Sequence, residues 1–285
     1  MKTGIVFEGG AFRTIFSCGV MDALVENDIM PDYMIGVSAG AAYGVSMASK
    51  QPRRNLDVLM KYRNDKRYLG LSNMIDKDNK SIYGLEFSYE TIPNELNLFD
   101  YDAFKKYKGD FYCVVTNLIT GQPEYMKYTG NDRTNTVLKA TCALPMLFPP
   151  IIINNVPYMD GGLSDSIPYL KAIEDGCDRI IVVLTRQAGY TKTTSHSTKA
   201  IAYSYRNQYP KLTETMLTRA SRYNESLKGL DQYVKDGRIM TIQPTMSNGF
   251  SRLEKDKNKI LSMYNDGYNQ CYELLDTIKE FYEIK

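Results

Sequence analysis

Residues 32–45 read DYMIGVSAGAAYGV: a strand-like apolar run, Asp32 to Val37, meets a run of small residues, Ala39 to Ala48, with Ser38 between them. Gly36, Ser38 and Gly40 form a G-x-S-x-G pattern, which between a strand and a helix places a serine hydroxyl on a strained elbow. Alone the pattern is weak, because small residues also suit close packing of a helix on a sheet. Its setting, an apolar strand running into a small-residue helix, favours the nucleophile. A strand, a sharp turn and a helix also make one unit of a parallel α/β sheet.

The residues upstream repeat that unit. GIVF (4–7) reads as a short buried strand, EGGAFR (8–13) as a tight loop, and TIFSCGVMDALVEN (14–27) as a helix with Ile15, Phe16, Gly19, Val20, Ala23 and Leu24 at helical spacing. Downstream, residues 64–98 carry scattered apolar side chains among Gly, Asn and Asp and are expected to form loops and short helices, a candidate rim or lid. Then come a strand at 110–118, a helix at 135–144 halted by Pro145, and a hairpin at 151–162 turning near Asn154 and Asn155. A helix closed by Gly176 follows, feeding the strand DRIIVVLTR (178–186). Residues 198–236 are helical, 238–244 add a late strand of the same sheet, and a final helix from Arg252 places Leu253, Ile260, Leu261, Tyr264, Tyr268, Cys271, Leu275, Ile278 and Tyr282 on one stripe.

Composition narrows the classes of function. The 285 residues hold 35 Lys+Arg against 33 Asp+Glu, a balance that gives no support to a nucleic-acid partner. Five cysteines (Cys18, Cys113, Cys142, Cys177, Cys271), odd in number and without a C-x-x-C pair, argue against a disulfide framework or a zinc site. The 23 tyrosines are read as core edges and surface contacts rather than a stacking platform. With no signal-peptide pattern and no apolar run long enough to span a bilayer, the expected location is cytoplasmic, with at most peripheral contact at a membrane.

A serine hydroxyl needs a base to accept its proton. His196 is the single histidine, and it follows the hydrolase chain order of serine, acid, histidine, but its setting YTKTTSHSTK looks like an exposed loop. Asp160, in PYMDGG, ends a strand and precedes two glycines that let the backbone turn sharply beside another element; the alternative is an ordinary turn aspartate. An aspartate of ordinary pKa, about 3.9, is a weak base, so a direct Ser/Asp dyad requires burial of the acid and a good oxyanion hole. Gly9, Gly10 and Ala11, between a strand and a helix N-terminus, supply backbone N–H groups for it, and Arg13 adds positive charge or anchors the turn. The loop matches neither G-x-G-x-x-G nor G-x-x-x-x-G-K-[ST].

In this order, EGGAFR, GVSAG and MDGG resemble the patatin-like phospholipase family, and ATCALPMLFPP (140–150) resembles its A-S-x-A-x-P segment. The four motifs span residues 8–162, and the chain is similar to compact bacterial members whose core is followed by a helical C-terminal part. The resemblance implies a three-layer α/β/α fold with a mainly parallel sheet, and lipid acyl-ester hydrolysis by a dyad without histidine, metal or cofactor. Ser38 would be the nucleophile, Asp160 the base, Gly9, Gly10 and Ala11 the oxyanion loop, and Arg13 the family's arginine. Ala11 stands where the family usually has a third glycine, and Thr14 where it has a glycine after the arginine. If position 11 needs φ > 0, the alanine Cβ is strained there.

The expected division is a catalytic core over 1–190 and a helical part over 191–285 packed on the same domain. Acyl-pocket walls are sought among Leu69, Leu71, Met74, Leu144, Pro145, Met146 and Phe148, with core packing the alternative for most of them. The substrate is a lipid or other acyl ester; headgroup, chain length, regiospecificity and oligomeric state are not specified by the sequence. The rival functions are a weakly catalytic lipid-binding or regulatory protein, and a Ser-His-Asp esterase using His196.

Overall fold

The computed structural model describes residues 1–75 and 81–284. β1 (Thr3–Phe7) leads through a 3-10 turn to α1 (Ile15–Glu26); β2 (Tyr33–Val37) leads through Ser38 to α2 (Ala39–Ala48), followed by α3 (Arg54–Tyr62). α4 (Tyr101–Lys106) precedes β3 (Asp110–Asn117) and β4 (Pro123–Lys127), and α5 (Thr136–Cys142) precedes the hairpin of β5 (Ile151–Ile153) and β6 (Val156–Asp160). Next are α6 (Tyr169–Glu174), β7 (Arg179–Val183), α7 (His196–Ser204), α8 (Pro210–Lys235), β8 (Ile239–Ile242), α9 (Lys257–Glu273) and α10 (Leu275–Phe281).

Among the described residues eight strands form one sheet in the order β5-β6-β3-β2-β1-β7-β8, with β4 pairing β3 off this path. The five strands from β3 to β8 run parallel, and β4, β5 and β6 are antiparallel additions. Parallel strands buried on both faces read as unbroken apolar runs, as GIVF and RIIVV do. Alternation then sends Ile5 and Phe7 into the core beneath α1, α2 and α9, and Val6 into the core beneath α6 and α8. Two apolar layers on one mainly parallel sheet give the α/β/α arrangement.

The hairpin turns on Asn154 and Asn155, at φ 49° and 64°, a left-handed pair that asparagine tolerates. Between α3 and α4, Phe87–Leu96 forms a π-helix around Pro93, one of the short helices expected at 64–98.

The final helix departs from expectation. It begins at Lys257 rather than Arg252, because the Asp256 side chain accepts from the N–H groups of Asn258 and Lys259 and caps it there, and it breaks at Leu274 before α10. The short strand β4, which opens on a proline at the margin of the sheet, was not anticipated.

α9 packs closely against α1, with a glycine on each helix at the contact. A Cβ on Gly267 would stand 2.0 Å from the Phe16 carbonyl oxygen, and one on Gly19 would stand 2.1 Å from that of Tyr264. The chain's ends meet in the same layer, where the buried Tyr282 hydroxyl donates to the Gly4 carbonyl at 2.6 Å. Among the described residues no helix is long and apolar enough to cross a membrane.

Candidate active site

Ser38 occupies the elbow with φ 54° and ψ −128°, a conformation that costs an L-residue about 1–3 kcal/mol. Its neighbours permit the turn. A Cβ on Gly36 would lie 2.5 Å from Ala41 Cα, and one on Gly40 would lie 2.4 Å from the Phe7 carbonyl oxygen, so α2 could not otherwise start this close to β1 and β2. The Ser38 N–H donates to Thr141 Oγ1 at 2.9 Å, and the fully buried Thr141 hydroxyl in turn donates to the Val114 carbonyl at 2.5 Å. α5 thus clamps the elbow onto β3.

Asp160, 2% exposed, sits at the end of β6. Its backbone is fixed from two sides, its N–H donating to the Ala143 carbonyl at 2.9 Å and its carbonyl accepting from Thr116 Oγ1 at 2.8 Å. Carboxylate Oδ1 accepts from the Gly162 N–H at 2.8 Å. Burial raises the Asp160 pKa above the ordinary carboxylate value, while the Ser38 hydroxyl, the Arg219 charge and the Gly162 N–H pull it back. The Cys142 thiol, also beside Ser38, is pushed up to about 12 by burial and by Asp160, and is uncharged at neutral pH.

Gly9, Gly10 and Ala11 pass over the elbow. Among the described residues their three N–H groups find no protein acceptor, whereas the next, on Phe12, donates to the Arg252 carbonyl at 3.1 Å. Ala11 does take a left-handed φ, 50°, so the strain conditional on that geometry is present, on the order of 1 kcal/mol. Glu8, just before the loop, is buried and fully engaged: Oε2 accepts from the Thr185 N–H at 2.6 Å and its hydroxyl at 3.0 Å, and Oε1 accepts from the Tyr223 hydroxyl at 2.9 Å. It ties the end of β1 to the end of β7 and to α8.

Two cavities meet at Ser38, sharing Ala11 and Leu144. One is apolar, with Val45, Val58, Ile92, Leu138 and Phe148 among its walls. Leu144 and Phe148 are therefore where the sequence placed them. Leu69, Pro145 and Met146 do not line it; Leu69 packs on the core and Met146 is 58% exposed, turned outward after the break that ends α5. The side chains of Leu71 and Met74 lie outside the described residues. Tyr43, Tyr68, Tyr83 and Tyr89 also face this cavity, a role the general reading of the tyrosines missed; burial raises all four pKa values, that of Tyr68 to about 12, so they stay neutral.

The second cavity is polar and is lined by Gly9, Gly10, Arg13 and Asp160, together with Arg186, Lys192, Arg219 and Arg252. Arg13 is buried and its Nε has no partner among the described residues; desolvation and the nearby Arg186 and Arg252 lower its pKa to about 10. Sequence reasoning missed the four added cations, which no local motif carries, and gave no role to Thr141 although it lies within the ATCALP segment. His196, the first residue of α7, is exposed and lines neither cavity.

A family model described as patatin-like phospholipase matches residues 5–173, and one described as a domain of unknown function (DUF6363) matches residues 209–283. The chain is 27% identical, over 65% of its length, to Escherichia coli (strain K12) "Uncharacterized protein YjjU", of which 52% is covered. It is 29% identical, over 64% of its length, to Lysophospholipase nte1 of Aspergillus terreus, of which 12% is covered. It therefore spans about half of the first relative and a small part of the second. Among solved structures, VipD from Legionella pneumophila shares the fold at TM-score 0.53 and 14% identity, over 97% of this chain and 67% of that one. Since the first model spans more than half of the chain and takes in the loop, the elbow and the Asp160 turn together, the chain belongs to the patatin-like phospholipase family.

Proposed function

We propose that this chain is a lipid acyl hydrolase working through Ser38 and Asp160. Ser38 Oγ attacks the ester carbonyl carbon as its proton passes to Asp160, and the N–H groups of Gly9, Gly10 and Ala11 hold the oxyanion. The intermediate collapses with cleavage of the C–O bond; Asp160 returns the proton to the leaving alkoxide, and the acyl group stays on Ser38. Water then attacks this ester, giving a proton to Asp160. Collapse releases the fatty acid and re-protonates Ser38 Oγ.

The observation that carries the reading is the convergence of Ser38, Asp160 and the three unengaged N–H groups on one cavity beside an apolar cleft. Burial supports Asp160 as the base, since it raises the basicity of a carboxylate that would otherwise be a poor acceptor. The name Lysophospholipase nte1 borne by a relative fits the same chemistry. All five cysteines are free, which supports a reducing, cytoplasmic setting in which lipid is met at a membrane surface.

The test is hydrolysis of p-nitrophenyl esters of short and long acyl chains by the folded wild type, Ser38→Ala, Asp160→Asn and His196→Ala. Loss of turnover on the order of a thousandfold or more in the first two variants, with His196→Ala near wild type, is the expected pattern. A wild type inert toward every ester would move the lipid-binding reading ahead, and a large loss in His196→Ala would replace the dyad with a triad.

A further inference from the structure

The cationic cavity is more strongly charged than ester hydrolysis requires. Arg13, Arg186, Lys192, Arg219 and Arg252 share it with two carboxylates, and Glu8 is already committed to Thr185 and Tyr223. Among the described residues none of the five cations has a carboxylate at ion-pairing distance.

Lys192, Arg186 and Arg219 are nonetheless held in place. The Lys192 ammonium lies 4.1 Å from the Tyr223 ring centroid, and Arg186 lies 4.3 Å from that of Tyr190. Asn224 pins the Lys192 backbone from both sides, accepting from its N–H at 2.8 Å and donating to its carbonyl at 3.0 Å. Arg219 Nε donates to the Gly162 carbonyl at 2.5 Å. Burial first, and then the charge of Arg219, lower the Lys192 pKa to about 7, while the Glu8 carboxylate pulls it back up.

Asp160 fixes which end of a substrate enters here. It lines the cationic cavity and not the apolar cleft, and the group that returns a proton to the leaving oxygen must face that oxygen. The acyl chain accordingly lies in the apolar cleft and the alcohol portion in the cationic cavity. Resting on the acyl hydrolase reading above, we infer that Lys192, Arg186, Arg219 and Arg252 join Arg13 in a headgroup site selecting lipid esters whose alcohol carries an anionic phosphate, above all a phosphomonoester. Neutral glycerides gain nothing from it, and headgroups ending in a quaternary ammonium place a cation among cations.

The experiment compares kcat and KM for three lipids of one acyl chain, oleoyl glycerol phosphate, monooleoylglycerol and oleoyl glycerophosphocholine, in the wild type, Lys192→Met and Arg252→Gln. Far-UV circular dichroism and the thermal unfolding midpoint certify that each variant is folded. The wild type is expected to prefer the phosphomonoester over both others, and each variant to lose about tenfold of the preference over monooleoylglycerol, chiefly through KM, as loss of a charge-assisted contact implies. Equal turnover of the three lipids, preference for the choline headgroup, or a preference that survives in both variants would overturn the inference.

Calorimetry on Ser38→Ala protein separates this idea from the hydrolase reading. If no ester is turned over by the wild type, hydrolysis fails as the function, yet binding of oleoyl glycerol phosphate that weakens in Ser38→Ala/Lys192→Met still supports the anion site; no binding overturns it. Inorganic phosphate is the second ligand. Tighter binding of inorganic phosphate than of the lipid phosphate would identify a free-anion site and overturn the headgroup assignment.

Discussion

Asp160 and Thr141 show how single side chains set the chemistry. With the Asp160 pKa raised by burial, the acid limb of kcat/KM is expected to reflect one proton and to have its midpoint above the ordinary carboxylate value of about 4. Activity falls as pH drops through that midpoint, because the base must be ionised. The groups that face it are the Ser38 hydroxyl from the elbow, the Gly162 N–H, Arg219 from α8 and Arg252 from the loop before α9, while Cys142 remains a neutral thiol. Removing a positive charge in Arg219→Gln should move the midpoint further up; a pH profile of both proteins checks the direction. Thr141→Val keeps the volume but leaves the Ser38 N–H without its acceptor, costing about 1–3 kcal/mol and loosening the elbow. A drop in kcat of about tenfold or more is expected, against a modest change in the urea midpoint, both measured on the same preparation.

The elements differ in how well their residues announce them. The loop, the elbow and the Asp160 turn were legible because each is a run of neighbours whose residue types alone dictate the backbone: GG before a helix, G-x-S-x-G after a strand, DGG after another. The cationic wall was not, because Lys192, Arg219 and Arg252 come from a loop, the middle of α8 and another loop, and only tertiary packing brings them to one cavity. β4 escaped for a related reason: its pairing with β3 is settled by its neighbour and not by its own pattern. The start of α9 was overrun because the apolar spacing continues back to Leu253, whereas the cap at Asp256 decides where the helix begins. The α1 and α9 contact gives a prediction with a definite sign. Gly→Ala inside an exposed helix would gain about 1 kcal/mol, but at Gly267 the added Cβ meets the Phe16 carbonyl. Gly267→Ala is therefore expected to destabilise the protein by about 1–3 kcal/mol in equilibrium urea unfolding, and stabilisation would show that α9 can slide on α1.

At the scale of the whole molecule, a mainly parallel sheet and its late strand near 238–244 could be anticipated as a class, but the strand order and the bonds that tie the last third to the site could not. β8 joins the sheet beside β7, α8 grips Glu8 through Tyr223, and the Arg252 carbonyl holds the loop at Phe12. Two separate family models thus describe one continuous core. A chain ended after Lys235, lacking β8, α9 and α10, would uncover the face of α1 that carries Phe16 and Gly19, and is expected to be insoluble or molten. Gel filtration and amide exchange would show this, and a well-folded, monomeric truncate would refute it.

The bond from Tyr282 to Gly4 has a temporal meaning as well as a spatial one. Residues separated by 278 positions must meet for the layer around α1 to close. Contacts so remote in sequence form late and slow folding, because the loop entropy must be surrendered before they contribute. Until α9 and α10 pack onto α1, the apolar face of α1 stays open to solvent. Conditions that loosen the packing of α9 and α10 on α1 are therefore expected to fall on this protein as aggregation before they appear as lost ester turnover.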